Sequence, residues 1–173
     1  TRESVTVALG GDGGDELFAG YDTFKAIKIA GILEKLLPKA VHPAITKALG
    51  IMPRSHSYMS FRFKLQRLLE GLGSKPAMWQ PLWLSPASVS DLRELFEEQI
   101  NIEELFSEAI IEWEQCKQRC KIDKTLQFYG NLFLQNQILT KVDRTSMSHG
   151  LEVRSPFLDI DFINCVRRIP SYY

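Results

Sequence analysis

The chain has 173 residues, of which 45% are hydrophobic and 24% charged, the composition of an ordinary globular domain with a real core. Its 21 Lys and Arg balance its 21 Asp and Glu, so no net field would attract nucleic acid or an anionic membrane. No apolar run is long enough for a transmembrane helix and no signal peptide is visible. Three cysteines and three scattered histidines favour reduced thiols in a cytoplasmic protein over a zinc site.

The first element in chain order is a strand over residues 5–9. Val5, Val7 and Leu9 predict a buried strand, of the kind found in parallel sheets. It begins close to the first residue, with no initiator Met before it and no obvious partner strand after it. We therefore expect the chain to be a piece of a longer protein.

The strand leads through Gly10 into a glycine-rich loop with carboxylates, GDGGDE, at residues 11–16. The glycines permit a tight turn and close approach of a ligand. Asp12 and Asp15 would repel phosphate, so they make sense as magnesium ligands or proton-transfer groups. The next helix is expected to start at about Asp15, with N-terminal amides that could face an anion. The structural alternative is a glycine turn in which Asp15 caps that helix.

The rest of the chain reads as helical almost throughout. The predicted helices span residues 15–36, 43–49, 57–72, 91–98, 102–119 and 123–147. Ser88 or Ser90 is expected to cap the helix at 91–98. Trp79 and Trp83 have no interleaved basic residues, which favours a core or partner-facing role over base stacking. The fold class expected for these residues is therefore mainly α, with one N-terminal strand and a helical array.

A second polar stretch follows the last long helix. Asp143 and Arg144 are adjacent on that helix and project about 100° apart, so each needs a partner elsewhere. Glu152 and Arg154 alternate along an extended segment, for which the structural alternative is a simple ion pair. Asp159 is expected to cap a final helix that runs through residue 167.

Two motifs together resemble the synthetase domain of the glutamine-dependent asparagine synthetases and related amidotransferases. They are ALGGDGGDELFAGY at residues 8–21 and KVDRTSMSHGLEVRSPFLD at residues 141–159. The resemblance implies a parent domain of the α/β class with a parallel sheet, similar to adenine-nucleotide hydrolases. It further implies that residues 1–173 are part of that domain. The upstream SGGxDS pyrophosphate loop, the glutaminase domain and a downstream lysine segment would lie outside them.

The resemblance implies a carbon–nitrogen ligase that uses ATP and Mg²⁺, with glutamine as the amido donor. Aspartate would form aspartyl-adenylate, and ammonia from a glutaminase domain of the same parent chain would then displace AMP to give asparagine. Two alternatives stay open: amidation of another carboxylate, such as a sugar acid in surface-polysaccharide synthesis, and a non-catalytic helical interaction module. The isolated chain is expected to be inactive and to self-associate as a homo-oligomer, with neither nucleic acid nor membrane as a partner.

The resemblance assigns roles only where residues match. Asp12 would help deprotonate the attacking ammonia, and Arg144 would stabilise the departing pyrophosphate. Asp15 would hold magnesium. The residues expected to contact the nucleotide are Gly10, Gly11, Gly13 and Asp143.

Three further residues of the first motif complete the expectations. Glu16 and Tyr21 would support the site. Gly10 stands where the family usually has serine, which removes a hydroxyl that could bond the nucleotide or the substrate. We therefore expect altered affinity at this position and an intact fold.

Overall fold

The computed structural model describes residues 1–36, 38, 41, 45, 61–96, 99–118 and 120–170. They form a mainly helical chain, as the sequence predicts, and this chain also contains one short two-stranded parallel sheet. Contacts divide the chain into two units, Thr1–Phe24 with Cys116–Tyr173, and Lys25–Gln115. No helix in these ranges combines the length and the apolar composition that crossing a membrane requires.

The elements are named in chain order. They are β1 (Val7–Leu9), α1 (Gly14–Phe18), α2 (Asp22–Leu36), α3 (Phe61–Leu72), a 3₁₀ turn (Pro76–Met78), α4 (Trp79–Leu84), α5 (Val89–Leu95), α6 (Ile102–Leu105), α7 (Ser107–Gln115), α8 (Lys121–Phe128), a π-helix (Tyr129–Leu139), α9 (Thr140–Met147), β2 (Glu152–Arg154), a second 3₁₀ turn (Pro156–Leu158) and α10 (Ile160–Val166).

β1 and β2 pair in parallel, with Val7 opposite Glu152 and Leu9 opposite Arg154. The expectation of a single strand is therefore wrong. The extended segment becomes the partner of β1 because strand backbone groups need hydrogen bonds. The expected burial of β1 is also wrong for these residues, since Val7 is 39% and Leu9 74% exposed. β2 covers an edge of β1 and not its faces.

The predicted helix over residues 15–36 is two helices, because the chain reverses at Ala19 and Gly20. Ala19 has a φ of 56°, in the left-handed region. Its N–H and that of Gly20 both donate to the carbonyl of Asp15. A side-chain carbon on Gly20 would collide with the Asp15 carboxylate and lie 3.2 Å from Asp15 Cα, so a larger residue here would displace the Asp15 side chain.

Helix α1 begins one residue earlier than expected. Its N-cap is Gly13, which has a φ of 92° and provides no side-chain cap. The alternative in which Asp15 caps the helix is therefore wrong. The glycine is needed here because the chain enters the helix through a left-handed conformation.

Replacing Ala19 with glycine is expected to stabilise the chain by about 0.5–1 kcal/mol. A left-handed alanine costs about 1–2 kcal/mol, and the extra freedom of glycine in the unfolded chain offsets part of that gain. Urea unfolding of the two proteins measures the difference. Ala26→Gly, inside α2, is the control and should lower the free energy of unfolding. A loss of stability in both variants would contradict the prediction.

The long helix predicted over residues 123–147 begins at Lys121 and has an irregular middle. α8, the π-helix and α9 follow one another without a break, and the π-helix spans 11 residues. Such helices are rare and occur frequently at functional sites. No characteristic residue pattern accompanies the hydrogen bonds of a π-helix, so the sequence did not predict this one.

The other helices agree with the sequence in type and differ in their ends. The helix predicted over 102–119 is interrupted between α6 and α7. Ser88 caps α5 through a capping box with Asp91, and Asp159 caps α10 by accepting from two backbone N–H groups. The helix predicted over residues 43–49 lies outside the described residues except at Ile45.

The second unit has its core between α2, α3 and α4. The fully buried cluster consists of Ala30, Leu68, Leu69, Leu72 and Trp79. Trp79 is 1% exposed and stacks on Trp83 with ring centroids 5.7 Å apart. Gly71 leaves room for that second ring, since a side chain there would collide with Trp83. Of the core or partner-facing roles expected of the two tryptophans, the structure shows a core role for Trp79, with the partly buried Trp83 packed against that core.

Candidate functional site

The two sequence motifs lie side by side in the first unit. β1 leads into the GDGGDE loop, and β2 leads into Ser155 and the second 3₁₀ turn. The N–H of Gly10 donates to the carbonyl of Arg154 over 2.8 Å, which extends the ladder to the start of the loop. Both loops therefore leave the carboxyl ends of parallel strands, the edge at which α/β proteins commonly bind ligands.

The glycines of the loop serve different purposes. A side chain on Gly13 would collide with Leu158, and one on Gly14 would contact Phe157 at 3.6 Å. The absence of a side chain at Gly13 lets the loop pack against the PFLD segment at residues 156–159, whereas the contact at Gly14 would be ordinary van der Waals packing. Nothing lies within 4 Å of the position that a side chain on Gly11 would take. Of these three positions, only Gly11 presents an open backbone to a ligand.

Asp12 bends back over Gly10. A side-chain carbon on Gly10 would lie 2.8 Å from Asp12 Oδ2 and 3.1 Å from Val153 Cγ1. The hydroxyl of Ser155 donates to the same Asp12 oxygen over 3.4 Å. The absence of a side chain at Gly10 thus permits the observed position of the Asp12 carboxylate.

The loop carries three carboxylates in different surroundings. Asp12 is partly buried, Asp15 is exposed, and Glu16 is buried with 5% exposure. Within the described ranges, none of the three forms an ion pair, and no group of three Asp, Glu, His or Cys side chains could hold a metal ion. Magnesium in proteins is commonly held by one or two carboxylates together with substrate phosphates. Two uncompensated carboxylates on one loop fit that kind of site.

Asp143 and Arg144 lie on α9, and both are exposed. No hydrogen bond or ion pair between described residues joins either of them to Asp12 or Asp15. α9 connects to β2 through a turn at Gly150, whose φ is 63°. Among the described residues, the structure therefore joins the first motif to the LEVRSPFLD part of the second motif, and no hydrogen bond or ion pair joins Asp143 or Arg144 to Asp12 or Asp15. The ion pair between Arg154 and Glu152 is present at 2.7 Å and exposed.

Tyr21 belongs to an aromatic cluster, and Glu16 is hydrogen-bonded to it. The hydroxyl of Tyr21 donates to Glu16 Oε1 over 2.5 Å. The Tyr21 ring stacks on Tyr129 with centroids 4.7 Å apart. Tyr129 is fully buried, and its hydroxyl lies 2.6 Å from the hydroxyl of Thr23. The cluster connects α1 to the first residue of the π-helix.

Raising the pH above about 10 is expected to destabilise the fold through this cluster. Burial raises the pKa of Tyr129 to about 12. Burial, followed by the hydrogen bond to Glu16, also raises the pKa of Tyr21. An unfolded chain loses tyrosine protons near pH 10, whereas the folded chain retains them, so stability is full below pH 10 and falls above it.

Tyr129 should contribute at most about 1.4 kcal/mol of this loss per pH unit, until it ionises in the folded state. Urea unfolding at several pH values between about 8 and 11 measures the slope. Tyr129→Phe should make the slope shallower. An unchanged slope in that variant would contradict the assignment.

Three residues of this region were not singled out from sequence. Ser155 contacts Asp12, Leu158 supports Gly13, and Tyr129 anchors Tyr21. Ser155 and Leu158 lie inside the second motif, so their position in that motif was a usable signal. Tyr129 lies in a helical stretch with many apolar residues, and nothing in its local pattern distinguishes it.

Comparison with known proteins places these motifs in context. A family model described as asparagine synthase matches residues 1–173. The chain is 24% identical over 176 residues to the glutamine-hydrolysing asparagine synthetase 1 of Bacillus subtilis (strain 168), across 98% of this chain and 26% of that protein. It thus spans about a quarter of that relative's length. No solved structure matches with comparable significance. Because the family match extends over all residues and includes both motifs, the chain belongs to the asparagine synthase family.

Proposed function

We propose that residues 1–173 form part of the synthetase site of an ATP-dependent, glutamine-hydrolysing enzyme that converts aspartate to asparagine. The observation that carries the proposal is the parallel pairing of β1 with β2, which sets the GDGGDE loop beside SPFLD. Family membership and the name of the Bacillus relative support the reaction class. The whole enzyme would include chain beyond these residues, since the relative is about four times longer.

In the proposed reaction, a carboxylate oxygen of aspartate attacks the α-phosphorus of ATP and pyrophosphate leaves. Ammonia then attacks the acyl carbon, loses a proton, and AMP leaves with the former carboxylate oxygen. ATP provides pyrophosphate as the first leaving group and AMP as the second, and magnesium would neutralise phosphate charge. Asp15, which is exposed on the loop, would hold the metal.

The other residues of the loop have complementary roles in this proposal. Asp12, fixed beside Ser155, would accept the proton that ammonia loses. The open backbone at Gly11 would approach the nucleotide closely. Asp143 and Arg144 would act on the pyrophosphate side, where a guanidinium can pair with phosphate oxygens in a bidentate manner. Both are exposed and therefore accessible to a ligand.

Pyrophosphate release by the whole gene product tests the proposal. We expect release with Mg²⁺-ATP and aspartate, and asparagine with either ammonium or glutamine. With aspartate labelled by oxygen-18 in its side-chain carboxylate, one labelled oxygen should appear in AMP. Pyrophosphate release with a uronic acid and not with aspartate would favour the alternative in which a sugar acid is amidated. No release with any carboxylate would favour the non-catalytic helical module.

Two loop variants separate the two halves of the reaction. Asp15→Asn should abolish pyrophosphate release, because the metal contact is lost. Asp12→Asn should retain exchange of labelled pyrophosphate into ATP and lose asparagine formation, because only the second half needs the proton acceptor. Asp161→Asn, on the exposed surface of α10, is the control and should retain both. Equal loss of exchange in Asp12→Asn and Asp15→Asn would contradict these separate roles.

A further inference from the structure

Glu16 is a buried carboxylate with weak compensation. It is 5% exposed, and the Tyr21 hydroxyl is its hydrogen-bond partner among the described side chains. Burying a charge with a single neutral donor is costly, and well-packed apolar replacements for buried polar groups are often neutral or stabilising. A contribution to stability therefore does not explain why Glu16 and Tyr21 are paired. The position of the pair in the fold is the property to consider.

The pair closes the reversal that holds Asp15. Glu16 follows Asp15 on α1, and Tyr21 follows the reversal at Ala19 and Gly20. The carbonyl of Asp15 accepts hydrogen bonds from the N–H groups of Ala19 and Gly20, and the side chain of Asp15 lies against Gly20. A hydrogen bond from residue 21 to residue 16 thus spans the segment that fixes Asp15.

The Tyr21 ring continues this contact towards the second motif. It stacks on Tyr129 and meets Phe133 edge-on, with centroids 5.8 Å apart. Both partners lie in the π-helix, which passes directly into α9, the helix of Asp143 and Arg144. The GDGGDE loop is consequently joined to the second motif by two routes, the β1–β2 ladder and the Tyr21 stack.

We propose that Tyr21 is a positioning residue: its hydroxyl on Glu16 and its ring on Tyr129 hold α1 against the π-helix, and thereby hold Asp15 in register with Asp143 and Arg144. This inference rests on the proposed function for its catalytic consequence. The geometric part, that Tyr21 fixes the reversal around Asp15, stands independently of any activity.

Tyr21→Phe in the whole gene product tests the catalytic consequence. Loss of one hydroxyl should lower kcat for pyrophosphate release about tenfold or more, with a change in KM for aspartate below about threefold, because small displacements of catalytic groups cost large factors in rate. Thr23→Val is the matched control, since it removes a hydroxyl bond from the same cluster without touching Glu16 or Tyr21. Thr23→Val should lower the free energy of unfolding about as much as Tyr21→Phe does, and its kcat should stay within about twofold of that of the unaltered protein.

A double variant distinguishes positioning from stabilisation. Glu16→Leu combined with Tyr21→Phe removes both polar partners, so the free energy of unfolding should return towards that of the unaltered protein. With positioning, kcat stays low in spite of this recovery. If kcat recovers together with stability, the pair is only structural and the proposal is overturned.

Hydrogen exchange provides a readout that needs no activity. The backbone amides of Ala19 and Gly20 donate to the carbonyl of Asp15. Their hydrogens should exchange faster in Tyr21→Phe than in the unaltered protein, and their exchange rates should stay unchanged in Thr23→Val. If the unaltered protein releases no pyrophosphate, the proposed function fails, and this measurement still decides the geometric part. Unchanged exchange in Tyr21→Phe overturns the positioning role.

Discussion

Gly13→Ala is expected to lower the free energy of unfolding by about 1–4 kcal/mol, because two costs outweigh the smaller conformational freedom of alanine in the unfolded chain. A left-handed alanine costs about 1–2 kcal/mol, and Gly13 has a φ of 92°. The added methyl group would also collide with Leu158, and forcing a methyl group into a packed site costs about 1–3 kcal/mol. Urea unfolding followed by circular dichroism measures the loss.

Gly11→Ala is the matched control in the same loop. Its new methyl group would meet nothing within 4 Å, so stability should change by no more than about 0.5 kcal/mol. A cycle with Leu158→Ala separates the two costs of Gly13→Ala. The double variant should lose less than the sum of the single losses, because truncating Leu158 removes the collision. Equal stability of the two glycine variants would show that the loop does not pack on the PFLD segment.

Arg144→Ala is expected to lower kcat/KM for pyrophosphate release about 10²–10³-fold in the whole gene product, the usual cost of removing one group that stabilises transition-state charge. The free energy of unfolding should change by no more than about 0.5 kcal/mol, because the side chain is exposed and unpaired among the described residues. Parallel activity and urea-unfolding measurements check both halves of the prediction.

Two further variants define what Arg144 contributes. Arg144→Lys should recover only part of the activity, since lysine keeps the charge and loses the planar, bidentate donor. Arg168→Ala removes an exposed arginine outside both motifs and should leave activity unchanged. Full activity in Arg144→Ala would remove this residue from the proposed site.

The helical regions and the two motifs could be predicted from sequence because they are local. Apolar spacing identified most of the helical stretches, and Asp159 and Ser88 were recognisable caps because capping depends on neighbouring residues. The ends and interruptions were less predictable. The reversal at Ala19 and the π-helix within 123–147 both depend on tertiary packing, which outweighs local preference.

The candidate site was predictable as a set of residues but not as an arrangement. The motifs named Asp12, Asp15, Asp143 and Arg144, whose roles as catalytic, metal-binding or nucleotide-contacting residues stay predictions. Sequence could not tell which glycine has an open backbone and which accommodates a neighbouring side chain. Gly13 and Gly11 look equivalent in the loop sequence, but Gly13 has a left-handed backbone and packs on the PFLD segment, far along the chain.

The sequence by itself therefore determined the family, the mainly helical class and the set of candidate site residues, because these follow from residue types at short spacings. The tertiary structure decided that β1 pairs with the extended segment, that Asp12 bends over Gly10 towards Ser155, and that Tyr21 links Glu16 to Tyr129. Such contacts join residues distant in the chain. Their free energy depends on three-dimensional packing, which no local pattern encodes.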